Sequence, residues 1–212
     1  LSGIILNQGD RIMIDKMVGK TEVALYGLAY SIGMLVQLFI SGMNSALTPW
    51  MYSKIKKGDI RSMRKVLQLL SIVVVGIAVA LMLISPELVL IFGSPKYREA
   101  VYVIPPVAAS VFFIFIYNIL SMPQFYYEKT QFLMAASMAA AGANVVLNFI
   151  FIRLFGYIAA GYTTLACYML YSVGHYIVSK QILVNEGIQE NLMNPGFLLA
   201  CSVFLIGASI IC

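Results

Sequence analysis

A chain of 212 residues that is 61% apolar and only 11% charged, with a mean hydropathy of +0.89, holds too many long apolar runs for a water-soluble core. Its net charge of +5 invites a nucleic-acid reading, but the basic residues sit beside apolar spans without interleaved aromatics, which leaves anionic membrane lipids as the expected partner and excludes nucleic acid. The three cysteines, Cys167, Cys201 and Cys212, are odd in number and lack metal-ligand spacing, so they read as small buried hydrophobes, with no metal and no cofactor expected.

The first residue is Leu1 and both ends lie in apolar runs, 1–6 and 197–212, so the chain reads as a fragment. Residues 1–212 are expected to form a single all-α transmembrane bundle of about six spans, truncated at both ends. Leu1 to about Met17 is the end of a first membrane helix, with Asn7, Asp10 and Arg11 three and four residues apart on one side. Two readings of the charged pair stay open. Arg11 snorkels to the interface beside a capped Asp10, or the two line a cavity.

The stretch Leu25–Pro49 is long enough to span a bilayer and carries one polar face. Tyr26, Tyr30, Gly33, Gln37, Ser41, Asn44 and Thr48 project within an arc of roughly 80° at about 100° per residue. Residues 51–65 follow as a basic loop with Lys54, Lys56, Lys57, Arg61, Arg64 and Lys65, a topology anchor expected on the cytoplasmic side.

Residues 66–92 read as one very apolar span at the periphery, closed by Pro86 and Gly93. Residues 101–122 return across the membrane with Ser110, Tyr117, Ser121 and Gln124 on one face and Pro105 and Pro106 bending or delaying the start. Residues 132–152 are rich in small side chains that admit a close neighbour, and Ser137, Ala141, Asn144 and Asn148 form a narrow face. Residues 157–178 present Thr164, Tyr168, Tyr171 and His175, residues 180–194 are a polar link, and Pro195 opens a last span.

Polar stripes on several spans have two readings, helix-to-helix hydrogen bonds or a shared wet path. Tyr, Asn, Ser and Thr suit the second when the cargo is rich in hydroxyls, because they bond it without imposing fixed charge. His175 is the lone histidine, either a packed residue or a proton relay. No metal constellation, nucleophile elbow or phosphate loop is present, so the chain is not expected to be an enzyme.

Several motifs occur in a telling order: Leu6-Asn7, Asp10-Arg11-Ile12-Met13-Ile14, Gly19, Tyr26, Ala29-Tyr30-Ser31, Pro49, Phe92-Gly93, Tyr97, Ala100, Glu128-Lys129-Thr130, and Asn144-Val145-Val146-Leu147-Asn148 before Gly156. Together they resemble the second half of bacterial polysaccharide-export (O-antigen-type) flippases of the multidrug/oligosaccharidyl-lipid/polysaccharide superfamily. Ala159-Ala160-Gly161 departs from that family's second glycine after Gly156, so packing there is expected to differ.

The resemblance implies a C-terminal lobe of a two-lobed inner-membrane transporter. Such a protein moves lipid-linked oligosaccharide of the undecaprenyl pyrophosphate type by alternating access during polysaccharide and lipopolysaccharide biosynthesis. The missing N-terminal lobe and glycan assembly proteins would be its partners. Asn7, Arg11, Tyr26, Tyr30, Gln37, Asn44, Asn144 and Asn148 are the expected cavity lining, Arg11 the expected contact for pyrophosphate and Asp10 the candidate coupling-ion site. A multidrug cation antiporter of the same superfamily, a membrane polymerase or ligase, and a purely structural membrane subunit are the rival readings.

Overall fold

A computed structural model describes the backbone of residues 2–212 and side chains from residue 8 onward. The described backbone is helical nearly throughout. Helix α1 spans Ser2–Met17, α2 Lys20–Lys56, α3 Ile60–Leu83, α4 Ser85–Phe92, α5 Ile104–Tyr126, α6 Gln131–Phe155, α7 Ala159–Asn185 and α8 Pro195–Ile211. A 3₁₀ segment, Pro95–Tyr102, joins α4 to α5. Four of these helices (α2, α3, α5 and α6) are long and apolar enough to cross a membrane.

The packing centre is α5. Its most apolar 18-residue window is 89% buried, against 22–39% for the other three spans, so α5 is the hub and they are its wall. Helices α2, α3 and α7 pack around it, α6 covers α7, and α1 lies between α2 and α6. With little hydrophobic drive between helices in lipid, close backbone approach has to supply the contact. Two glycines provide it on either side of the start of α5. A Cβ at Gly33 of α2 would overlap the Val107 side chain, and one at Gly161 of α7 would lie 2.9 Å from Pro106 Cγ. Outward-facing Leu38, Phe39, Leu69, Ile72, Met138, Val146 and Leu170 are exposed, as lipid-facing side chains should be.

The structure corrects three sequence expectations. The basic stretch 51–65 is not a loop: α2 runs on to Lys56, α3 starts at Ile60, and only residues 57–59 turn. Gly58 takes φ +67°, which a glycine adopts without steric cost, and Asp59 caps α3 by accepting from the Ser62 N–H at 3.2 Å. The single span 66–92 is two helices. Pro86 has no N–H to give and its ring opposes the carbonyl one turn back, so α3 stops at Leu83 and α4 begins anew with proline in its first turn. Pro105 and Pro106 stand in the first turn of α5, where the missing N–H is not needed, and the helix starts at Ile104 instead of 101, the delayed start that the sequence suggests. Helix α7 continues to Asn185, taking in the first part of the expected link.

The placement of α3 is intermediate. One face packs on α5 and α8, and the other is exposed. One end of the bundle gathers the basic residues. There Tyr52 of α2 meets Tyr126 of α5 with ring centroids 5.4 Å apart. Arg64 of α3 donates from Nε to the Asn191 carbonyl at 2.8 Å and pairs with Glu190 at 3.2 Å, tying α3 to the α7–α8 connection.

Candidate functional site: a buried carboxylate and a polar groove

The polar face of α2 divides into a closed part and an open part. The closed part surrounds Asp10. This carboxylate is 0% exposed and accepts three side-chain hydrogen bonds, one from each of three other helices. The Tyr26 hydroxyl of α2 donates to Oδ2 at 2.6 Å, the Thr164 hydroxyl of α7 to the same oxygen at 2.8 Å, and the Asn148 amide of α6 to Oδ1 at 2.5 Å.

A second tier holds these donors in place. Asn148 also donates to Asn144 Oδ1 at 3.1 Å, Asn144 donates to Thr164 at 3.2 Å, and Thr163 donates to Asn148 Oδ1. The helical spacing explains the convergence: Asn144 and Asn148 are one turn apart on α6, and Thr163 and Thr164 are adjacent on α7. No cation touches the carboxylate among the described residues, whose ion pairs are Lys54–Asp59 and Arg64–Glu190 at the basic end. A buried carboxyl without a counter-charge is tolerated only when hydrogen bonds replace its water, and three donors do so here.

Arg11 does not pair with its neighbour in sequence. Its guanidinium lies 5.4 Å from the centre of the Tyr30 ring, and its Nε is enclosed without a hydrogen-bond partner among the described residues. Tyr30 itself stacks on Tyr26 at 6.0 Å. It is buried, on the same side of α2 as the carboxylate cluster.

The open part is a groove of about 370 Å³ between α2 and α5. Gln37, Ser41, Asn44 and Thr48 line it from α2, and Tyr117 and Asn118 from α5. Every polar group in this lining is uncharged. The Asn44 carbonyl oxygen is enclosed and unpartnered, which leaves hydrogen-bonding capacity in the wall. Gln37 and Ile114 also border a crevice of about 10 Å³ that reaches Tyr30, Thr164 and Tyr168. That is about the room one water molecule needs, and its lining includes Gln37 of the groove and Thr164 of the Asp10 cluster.

The expected site residues therefore fall in two places. Tyr26, Asn144 and Asn148 gather around Asp10, away from the groove, because a buried carboxylate draws in every donor that can reach it. Gln37 and Asn44 line the groove. Tyr30 and Arg11 stand together beside the crevice, and the Asn7 side chain lies outside the described residues. Thr163, Thr164, Tyr117 and Asn118 were not among the expected site residues. Thr164 lay on a recognised helical face with Tyr168, and Tyr117 on another with Ser121, which was the available signal.

The MatE family model matches residues 4–150. An uncharacterized membrane protein of Haemophilus influenzae is 31% identical over 134 residues, covering 59% of this chain and 32% of the relative. The chain thus spans about a third of that relative's length. No solved structure matches. With the family match extending over more than half of its residues, the chain belongs to the MatE family, a family of membrane transporters in the multidrug/oligosaccharidyl-lipid/polysaccharide superfamily.

Proposed function

We propose that the protein is a flippase that carries lipid-linked oligosaccharide across the cytoplasmic membrane by alternating access, and that this chain supplies most of one lobe. The observation that carries the reading is the uncharged lining of the groove. Amide and hydroxyl groups at Gln37, Ser41, Asn44, Thr48, Tyr117 and Asn118 are the chemistry that replaces water around a sugar. A volume of about 370 Å³ suits one or two sugar rings. Leu38 and Phe39 lie exposed beside the groove, so an isoprenoid tail can stay in lipid while the head group enters.

Arg11, whose Nε has no partner among the described residues, is the proposed contact for the pyrophosphate, and Asp10 the proposed coupling-ion site, which an ion would reach by displacing Tyr26, Thr164 or Asn148. The opposite lobe, contributed by another part of the protein, would close the cavity.

Asp10 favours a second reading, a multidrug cation antiporter, because a membrane carboxylate is what a cationic drug needs. Its oxygens are occupied by Tyr26, Thr164 and Asn148 and do not line the groove, which makes this the weaker reading. The test is replacement of Gln37, Asn44 and Asn118 by alanine in the full-length protein. Loss of surface glycan at normal protein levels is expected, with drug resistance unaltered. Unchanged export at normal levels rules the flippase out, and altered drug resistance instead selects the antiporter.

A further inference from the structure

Outside both parts of the site, the enclosed side chains of Gln124 and His175 meet between α5 and α7, and Ser179 lies one turn along α7 from the histidine. His175, Gln124 and Ser179 are 1%, 0% and 1% exposed. Gln124 Nε2 lies 2.7 Å from His175 Nδ1 and also 3.3 Å from the Leu120 carbonyl. An amide nitrogen only donates, so Nδ1 accepts and the ring proton of the neutral histidine belongs on Nε2. That Nε2, the Gln124 carbonyl oxygen and the Ser179 hydroxyl have no hydrogen-bond partner among the described residues. Unused buried donors and acceptors are costly enough that these call for an explanation.

We propose that Gln124 and His175 form a proton-binding site, and that proton uptake at His175 Nδ1 turns the Gln124 amide over and shifts Tyr117 in the groove wall. The atoms account for the switch. A proton from water at the end of α5 adds to the Nδ1 lone pair and gives an imidazolium with two N–H donors. Gln124 can then no longer donate to Nδ1. Rotating the amide brings its idle carbonyl oxygen onto Nδ1–H, at the loss of the Leu120 contact.

The groups around the ring suit a cation that comes and goes. From α5 the ring meets Gln124 and the Tyr117 ring, at 5.9 Å between centroids. On α7 itself it meets Tyr171 edge-on at 4.5 Å, with Tyr176 and Ser179 nearby and Lys180 exposed. From α6, Ser137 lies 3.3 Å from the Tyr171 hydroxyl, and from α3 the charge of Arg64 acts on Tyr176. No carboxylate is among them to hold the proton permanently, and the ring's nearest neighbours are the Gln124 amide and the two tyrosine rings. Tyr117 is the link outward, since the side chain packed on His175 is also part of the groove lining.

Protonation stands apart from the cargo; only its use in transport rests on the flippase reading. The test is nitrogen NMR of histidine-labelled full-length protein in lipid nanodiscs, with H175Q used to assign the signal. It is paired with thiol labelling of an S41C reporter in the groove. From about pH 8 to about pH 3, an Nε2-protonated neutral ring should convert to the doubly protonated form. S41C labelling should change several-fold over the same range, and the change should be absent in H175Q. A neutral ring protonated on Nδ1, a ring that never titrates, flat labelling while it titrates, or a pH response surviving in H175Q would overturn the proposal. Should H175Q fail to fold, Q124L serves: mixed neutral tautomers and flat labelling support the site, and an unchanged tautomer refutes it. Neither readout needs cargo, so a protein that exports no glycan would sink the flippase reading and leave this result standing.

Discussion

Asp10 and Thr164 are 154 positions apart in the chain and 2.8 Å apart in the fold. The bond joins α1, at the edge of the bundle, to α7, which packs on the central helix, and it is one of three that converge on a single carboxylate.

Removing that carboxylate should be the most damaging single change among the site residues. Asp10→Ala strands a tyrosine hydroxyl, a threonine hydroxyl and an amide in a dry interior, at a cost on the order of 2–4 kcal/mol. Asp10→Asn keeps the shape but brings two donors of its own among groups that already donate, so it should be only partly better. Thermal unfolding of the purified proteins in one detergent would give the ranking; an Asp10→Ala protein as stable as the parent would show that the cluster does not hold the helices together.

A milder change isolates one strut. Tyr26→Phe removes the 2.6 Å bond and keeps the ring stacked on Tyr30, so the loss should be about 0.6–1.7 kcal/mol, the range for single intramembrane hydrogen bonds. A double-mutant cycle with Thr164→Val, which addresses the same carboxylate oxygen, should be non-additive.

The contact between Gly33 and Val107 gives a steric prediction. Gly33→Ala places a methyl group where Val107 already sits, and β-branched Val107 cannot swing aside freely. The expected loss is about 1–3 kcal/mol, the usual range for overpacking. Val107→Ala in the same protein should recover most of it. Equal melting temperatures for Gly33→Ala and the parent would mean that α2 and α5 approach less closely than described.

Acid should loosen the basic end first at Asp59. The Lys54 ammonium at 2.5 Å, followed by the Ser62 N–H, holds this carboxyl below its ordinary range of about 3.9. Because the folded value is depressed, the stabilisation is complete above the ordinary value and disappears as pH falls through the depressed one. Hydrogen exchange at the first amides of α3 should therefore rise below about pH 4 relative to Asp59→Asn, which lacks the charge throughout. Identical profiles for the two proteins would exclude the carboxylate as cap and partner.

How far the sequence revealed these features depended on whether polarity marked them. Tyr26, Gln37 and Asn44 stand out on one side of an apolar helix, and the structure keeps that side turned inward. Periodicity names a face but not the helix it meets, so nothing in the spacing of Asp10 pointed to Thr164. The central position of α5 was hidden for the opposite reason. A helix buried on all sides is apolar all round, and Val107, Phe112, Phe115 and Ile119 read no differently from lipid-facing residues. At Gly58-Asp59 the turn signal was present, but the surrounding lysines and arginines made the whole stretch look like loop, although both residue types favour helix. The split of the Asp10 cluster from the groove depends on which donors reach one carboxylate in three dimensions, and no helical wheel contains that.

Only Val18 and Gly19 separate α1 from α2, and the Tyr26 hydroxyl reaches Asp10 from just 16 positions away. During synthesis, then, the acid can find its first donor as soon as α1 and α2 have entered the bilayer. The Asn148 and Thr164 donors arrive 138 and 154 positions later. In the interval the ribosome is still delivering the later helices, and a half-satisfied acid group waits for them. That order of arrival makes Asp10 a latch that shuts only when the last strong donor has been threaded, so a truncated nascent chain would carry an open, polar wound for quality control to recognise.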